Sequence, residues 1–187
     1  MIEGKKIKLR PANLADRLLV FEWGHNSDIA GFIYPAGGEI QTFEEFCADY
    51  KEYYFSDVSP ELGRGFIILE DENPIGFIAY NEIDQKSRVE LDMWMSCEAN
   101  CSKGFGPDAI EALCVYLAAE FGVHTYMMQP SAGNPRAIRA YEKAGFVMTP
   151  ATPEQIRREW GAVDADDSVL MIRKASHTNS HPSLEDS

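Results

Sequence analysis

Four histidines and four cysteines are scattered over 187 residues, with no Cys-x-x-Cys pair among them. Zinc sites are built from clustered Cys and His at short spacings, so no metal site is expected. Long apolar runs are also missing. No stretch approaches the ~20 residues that a membrane-spanning helix requires. Met1-Ile2-Glu3-Gly4-Lys5-Lys6 lacks the apolar segment of a secretory signal. A cytoplasmic protein with no membrane partner is expected, and in a reducing compartment Cys47, Cys97, Cys101 and Cys114 remain thiols. Positive charge is scarce: 17 Lys and Arg stand against 30 Asp and Glu, a formal net charge of −13. Nucleic-acid backbones are bound through Lys and Arg, so no nucleic-acid partner is expected. The same excess suits a cationic ligand, which the summed field would attract, although acidic surfaces also serve solubility. Glu39, Glu44, Glu45, Asp49, Glu52, Asp57 and Glu61 crowd one region, with Lys51 the only basic residue among them.

Hydrophobic content of 45% and charged content of 25% are ordinary globular values. The length fits one domain, residues 1–175, followed by a polar, proline-bearing tail over 176–187 expected to be disordered. Strands are predicted over Lys5–Arg10 and Phe66–Leu69. A turn at Glu72-Asn73-Pro74 leads into a returning strand to Tyr80. Further strands are predicted over Arg88–Cys97, Thr125–Gln129 and Ser168–Arg173. Asn13 caps a helix to Gly24, and Thr42-Phe43-Glu44-Glu45 is a capping box opening a helix to Phe55. Further helices are predicted over Pro107–Phe121, Asn134–Ala144 and Thr152–Trp160. Runs of strands broken by single helices predict a mixed α/β sheet with helices on both faces.

Lys103-Gly104-Phe105-Gly106 lies between the strand ending near Cys97 and the helix from Pro107. Glycine lets a backbone approach a ligand closely. The first helical N–H groups have no partner and the helix dipole favours negative charge there. The turn can therefore hold a phosphate, or it can simply be a tightly packed helix start. Downstream, Asn134-Pro135-Arg136-Ala137-Ile138-Arg139-Ala140-Tyr141-Glu142-Lys143-Ala144-Gly145-Phe146 combines an N-cap, a proline at the first helical position and a glycine C-cap. Ala137, Ile138 and Tyr141 share one face, and Arg136, Arg139 and Lys143 lie mostly on the other. By itself this is a short amphipathic helix with a basic face and a core tyrosine.

The two segments, in this order and at this separation, resemble the GCN5-related N-acetyltransferases. The likeness spans roughly residues 5–174 and is most like the aminoglycoside 6'-N-acetyltransferases from Asp92 through Gly104 and from Ser131 to Phe146. It implies a central, mostly antiparallel sheet whose middle strands, carrying Asp92 and Tyr126, splay apart. Acetyl-CoA is implied as co-substrate. Lys103, Gly104, Phe105, Gly106 and Asp108 would hold its pyrophosphate. Backbone amides at Trp94 and Met95 would bind the pantetheine arm and thioester oxygen, with Asn134 on the arm. Arg136, Ala137, Arg139 and Lys143 would complete the cofactor side. Two departures stand out: Cys101 takes a position where the family often has Gln or Arg, and Pro107 removes one N–H.

Acetyl transfer to an amine needs a deprotonated nucleophile, a polarised carbonyl and a protonated leaving thiolate. Tyr141 matches the family's tyrosine that protonates the thiolate. Asp92 is the candidate base and acceptor-binding residue, with Glu90 on the same strand face as its rival. A carboxylate near its ordinary pKa of ~3.9 is a poor base for an ammonium, so Asp92 would need burial, a water relay, or a role limited to binding. The acceptor is expected to be a small polycationic amine, plausibly an aminoglycoside 6'-amine. A ribosomal or other basic protein N-terminus and a non-catalytic acyl-CoA sensor are the alternatives. Trp23, Phe32, Tyr34, Tyr53, Tyr54 and Trp160 are candidates to line the acceptor pocket or to be ordinary core, and a homodimer stays open.

Overall fold

The computed structural model describes residues 1–33, 40–161 and 168–175. Tyr34 and the expected tail lie outside them. Among the described residues one eight-stranded sheet runs in the order β1-β2-β3-β4-β5-β6-β8-β7. The strands are β1 (Ile2–Glu3), β2 (Lys8–Pro11), β3 (Arg64–Glu70), β4 (Asn73–Tyr80), β5 (Arg88–Met95), β6 (Thr125–Met128), β7 (Val147–Met148) and β8 (Met171–Lys174). Every neighbouring pair is antiparallel except β5–β6, which is parallel. The helices are α1 (Arg17–Gly24), α2 (Ser27–Ile33), α3 (Phe43–Asp49), α4 (Phe105–Phe121), α5 (Pro135–Lys143) and α6 (Pro153–Trp160).

Alternation along β5 separates two cores. Val89, Leu91 and Met95 pack with Ile110, Leu113 and Leu117 of α4. Trp94, on the other face, packs with Val20, Phe46 and Phe77. Helices therefore cover both faces, as the sequence predicts.

Several boundaries differ for physical reasons. The β3–β4 turn sits at Asp71 and Glu72, both with positive φ, one residue earlier than predicted. Pro74 lies inside β4 opposite Leu69, where the register shifts. A bulge tolerates a residue with no N–H for the ladder. The capping box Thr42/Glu45 forms as read, but α3 stops at Asp49 rather than Phe55. Arg17 Nη2 donates to Cys47 O (2.7 Å) and Tyr50 O (2.6 Å), taking carbonyls that a longer helix would use, and Tyr50 leaves helical geometry at ψ 77°. The helix α2 was not predicted. Asn26 Oδ1 accepts from Asp28 N–H (3.1 Å), and its amide donates to Ser96 O at the end of β5 (3.1 Å).

α4 begins at Phe105, two residues before the predicted start, because Gly104 adopts φ +86° as its N-cap. Pro107 is thus the third helical residue, where its missing N–H leaves no helical bond unmade. The Asp108 backbone N–H was expected at a phosphate; it donates to Gly104 O (3.3 Å) as part of the first turn of α4. Its carboxylate accepts the backbone N–H groups of Lys5 (3.0 Å), Lys6 (2.7 Å) and Ile7 (3.2 Å), locking the turn before β2 onto α4. Asp108→Ala is expected to lower stability by about 1–2 kcal/mol while leaving acetyl-CoA affinity near wild type. Thermal unfolding and calorimetric titration check this, and an unchanged melting temperature would remove the anchoring role.

Candidate active site

The site begins where the sheet comes apart. β5 and β6 pair only through Arg88–Thr125, Val89–Tyr126 and Glu90–Met127. Past that point Pro130 has no N–H to offer β5. The chain after β6 follows β8 instead: Val169 N–H donates to Pro130 O (2.9 Å), and Ser131 bridges to Ser168. The two strand ends diverge around a cavity of about 860 Å³.

Backbone polarity within β5 follows from its ends. Asn81 N–H donates to Glu90 O (3.0 Å) and Ser96 N–H donates to Ile75 O (2.9 Å). Even-numbered residues thus address β4, and Leu91, Met93 and Met95 point their N–H groups toward β6 and the gap. Met95 fits the amide role expected of it. Trp94 does not, because its amide faces β4. Its indole is a wall of the cavity instead, with Nε1 donating to Val20 O (3.2 Å).

One half of the cavity runs between the start of α4 and α5. Gly104 and Gly106 line it, and so do Arg136, Arg139 and Lys143. The basic face of α5 therefore meets the helix start with the unpaired N–H groups. Arg136 is held by Glu98 (3.0 Å) and lies over the Phe32 ring at 4.2 Å. Asn134 caps α5 through Oδ1, which accepts from Ala137 N–H (3.0 Å), and its Nδ2 donates to Phe32 O (3.4 Å). Ala137 lines the same channel. Tyr141, 9% exposed, sits in the core on the α4 face of the sheet and reaches the cavity. Lys103 and Phe105 do not line the cavity. Lys103 O accepts from Lys6 Nζ (3.1 Å), and the Phe105 ring is buried under α4. Cys101 lines the mouth as a half-buried thiol whose pKa burial pushes up.

The other half lies on the opposite face, under α1 to α3. Asp92 projects here, its carboxylate taking the Tyr50 hydroxyl and the Met93 N–H. Burial pushes its pKa up, and these two donors oppose the shift. Tyr50 stacks on Phe46 (4.9 Å) and meets Trp94 edge-on (5.5 Å). Among the described residues, Asp92 is the one carboxylate lining the cavity.

Glu90 shares that face but lies outside the cavity wall. Its oxygens accept Asn81 Nδ2 (3.2 Å) and Gln129 Nε2 (2.8 Å). Nor does the acidic run reach the wall among the described residues: Glu45 serves the α3 cap, Asp49 accepts Gln41 Nε2 (2.6 Å) and Asp57 pairs with Arg64. Of the candidate aromatics, Phe32 lines the cavity, whereas the Tyr54 hydroxyl donates to Asn81 Oδ1 (2.9 Å) and Trp160 lies under Arg88. Tyr50 and Gln129 were missed. Phe43, Phe46 and Tyr50 repeat at helical spacing, which was the available signal for Tyr50; Gln129 carried none.

A family model described as the acetyltransferase (GNAT) domain matches residues 6–147. The chain belongs to the GNAT acetyltransferases. It is an N-acetyltransferase with acetyl-CoA as co-substrate, and the reading as a non-catalytic sensor falls. Among curated proteins it is similar to aminoglycoside N(6')-acetyltransferase type 1 of Klebsiella pneumoniae and of Serratia marcescens, each 29% identical over 164 residues and covering 79% of both chains. Its fold is shared with aminoglycoside acetyltransferase AAC(6')-Ib in complex with coenzyme A and kanamycin (TM-score 0.67, 23% identity, 90% of this chain and 94% of that one). It is also shared with spermidine N-acetyltransferase from Vibrio cholerae in complex with CoA and spermine (TM-score 0.68, 19% identity, 91% and 96%). No helix among the described residues is long and apolar enough to cross a membrane.

Tyr50→Phe removes a donor that favours ionised Asp92, so the Asp92 carboxyl should titrate higher than in wild type. Carboxyl-carbon NMR across pH reads this directly. A downward or absent shift would show that the phenol does not stabilise the carboxylate.

Proposed function

We propose that this N-acetyltransferase acetylates a primary amine of a small polycationic acceptor, with an aminoglycoside 6'-amine as the first expectation, by direct attack on acetyl-CoA. The observation that carries the reading is the placement of Asp92 and Tyr141 on opposite faces of the sheet, communicating through the gap between β5 and β6. Acetyl-CoA enters along α4 and α5, with its phosphates at Gly104 and Gly106 and near Arg136, Arg139 and Lys143. Its pantetheine arm passes Asn134 into the gap, where the Met95 N–H meets the thioester oxygen as charge develops there. The amine approaches from the Asp92 side. Asp92 orients the ammonium and accepts its proton, a task its upward-shifted pKa favours. Attack on the thioester carbon forms the C–N bond, the C–S bond breaks, and the Tyr141 hydroxyl protonates the departing thiolate.

The aromatic wall of Phe46, Tyr50 and Trp94 beside one carboxylate suits a compact cation. The curated relatives support the aminoglycoside choice. A protein N-terminus is the outcome to expect if only basic peptides are turned over.

Steady-state CoA release with kanamycin, tobramycin, spermine and basic peptides tests this. Asp92→Asn is expected to lower kcat/KM for the amine by about a hundredfold or more, with little change in acetyl-CoA affinity. Tyr141→Phe should lower kcat by about tenfold or more. Because ionised Asp92 is the active form, wild-type kcat/KM should fall as pH drops through its raised pKa. Full activity in Asp92→Asn would remove it from the mechanism. Separately, Arg139→Ala with Lys143→Ala should raise the acetyl-CoA KM about tenfold or more and leave the amine KM alone; the reverse pattern would put the cofactor elsewhere.

A further inference from the structure

Gln129 follows β6 directly, is 9% exposed and lines the cavity. Its amide is held in one orientation. Nε2 donates to Glu90 Oε1 (2.8 Å), Glu90 Oε2 accepts from Asn81 Nδ2 (3.2 Å), and Asn81 Oδ1 accepts from the Tyr54 hydroxyl (2.9 Å). Both Glu90 oxygens accept amide N–H groups, so the NH2 end of Gln129 faces Glu90 and its oxygen faces away. That oxygen, Oε1, is buried with no hydrogen-bond partner. Buried carbonyl oxygens are rarely left so, because the lost hydration is not replaced.

The last rung of the β5–β6 ladder is Glu90–Met127, so Asp92 and Gln129 each lie two residues past it, on the strand ends that flank the gap, and both line the cavity. Both side chains lie on the face that carries Glu90, opposite the face that buries Tyr141. We infer that Gln129 Oε1 is a binding group for an N–H of the acceptor's amine, and that Glu90 is a positioning residue that orients it. The inference rests on the reading that the acceptor enters on the Asp92 face. A neutral carbonyl oxygen on the face that carries Asp92 adds a second acceptor for an ammonium without adding a second charge to the cavity wall. Its bond strengthens as the attacking nitrogen becomes cationic. Glu90 thus leaves the list of candidate bases and gains a different task.

The test is steady-state kinetics with kanamycin and spermine at saturating acetyl-CoA. Gln129→Leu should raise the acceptor KM about tenfold with the acetyl-CoA KM unchanged. Glu90→Gln keeps the volume but offers Gln129 a partner that can donate as well as accept, so the amide can turn over. It should raise the same KM by a smaller factor, with the melting temperature and the acetyl-CoA KM unmoved, a split that a merely structural role would not produce. If Gln129→Leu loses its cooperative melt, Glu90→Gln decides. Normal turnover with wild-type acceptor KM in the deciding variant overturns this inference alone. A rise in the acetyl-CoA KM instead overturns it by giving the oxygen to the pantetheine arm. Turnover of neither amine by wild type would sink the acceptor assignment, and this inference with it.

Discussion

The structure depends on two adjacent parallel strands ceasing to pair. A continuous sheet would seal one face from the other and satisfy every amide internally. Here β5 keeps its ladder to β4, and the chain after β6 keeps its contacts to the β8 side, so the loss is confined to one seam. Along that seam backbone groups face a cavity instead of a neighbour. Asp92 turns back to take the Met93 N–H, which leaves the Met95 amide as the donor we propose for the thioester oxygen. The opening is stable because one core under α4 spans it, joining Leu91 and Met95 of β5 to Tyr126 and Met128 of β6 and Met171 of β8, while a second core under α1 and α3 backs β5 on the other face.

The seam also separates charge. The side proposed for the cofactor gathers Arg136, Arg139 and Lys143, and the side proposed for the acceptor has Asp92. Placing these charges on opposite faces lets a polyanion and a cation bind at once, with their meeting point in the gap. Asp92 sits between opposed effects. Burial makes ionisation costly, while the Tyr50 hydroxyl and the Met93 N–H favour the anion. The base role proposed for Asp92 needs this balance: with no burial the carboxylate would be too weak a base, and with no donors it would stay protonated. Tyr50 is held in turn by Arg17, whose guanidinium takes its carbonyl and ends α3. The helix boundary that the sequence misplaced is therefore what points the phenol at Asp92.

Much of the fold was readable beforehand. The alternation of β5, the helix starts at Thr42 and Thr152, and the glycine that ends α5 are local signals with local causes, and they appear as read; Asn13 caps a short 3-10 turn over Leu14–Asp16 that runs into α1. The two motifs located the cavity. What stayed hidden depends on contacts distant in sequence. Asp108 looks like a phosphate-side residue until the turn at Lys5 folds onto it. Glu90 and Asp92 are equivalent by strand parity, and only the amides of Asn81 and Gln129 tell them apart. Trp94 was placed by proximity to the motif, but hydrogen-bond polarity along β5 decides which amides face the gap.

The acidic composition takes on a different meaning once the side chains are placed. The sequence suggested carboxylates packed around a polycation, yet Glu45, Asp49 and Asp57 are committed to a helix cap, a glutamine and an arginine. Their charge still adds to the net −13, but it acts through solvent and is screened over a Debye length of ~8 Å at physiological salt. It therefore favours the approach of any cation and discriminates little among them. On the proposed reading, discrimination falls to the groups that would meet the acceptor: one carboxylate, a wall of Phe46, Tyr50 and Trp94, and the oxygen of Gln129. Aromatic faces and a carbonyl reward correct position more than total charge, so acceptors of equal charge would be sorted by how their amine reaches the seam.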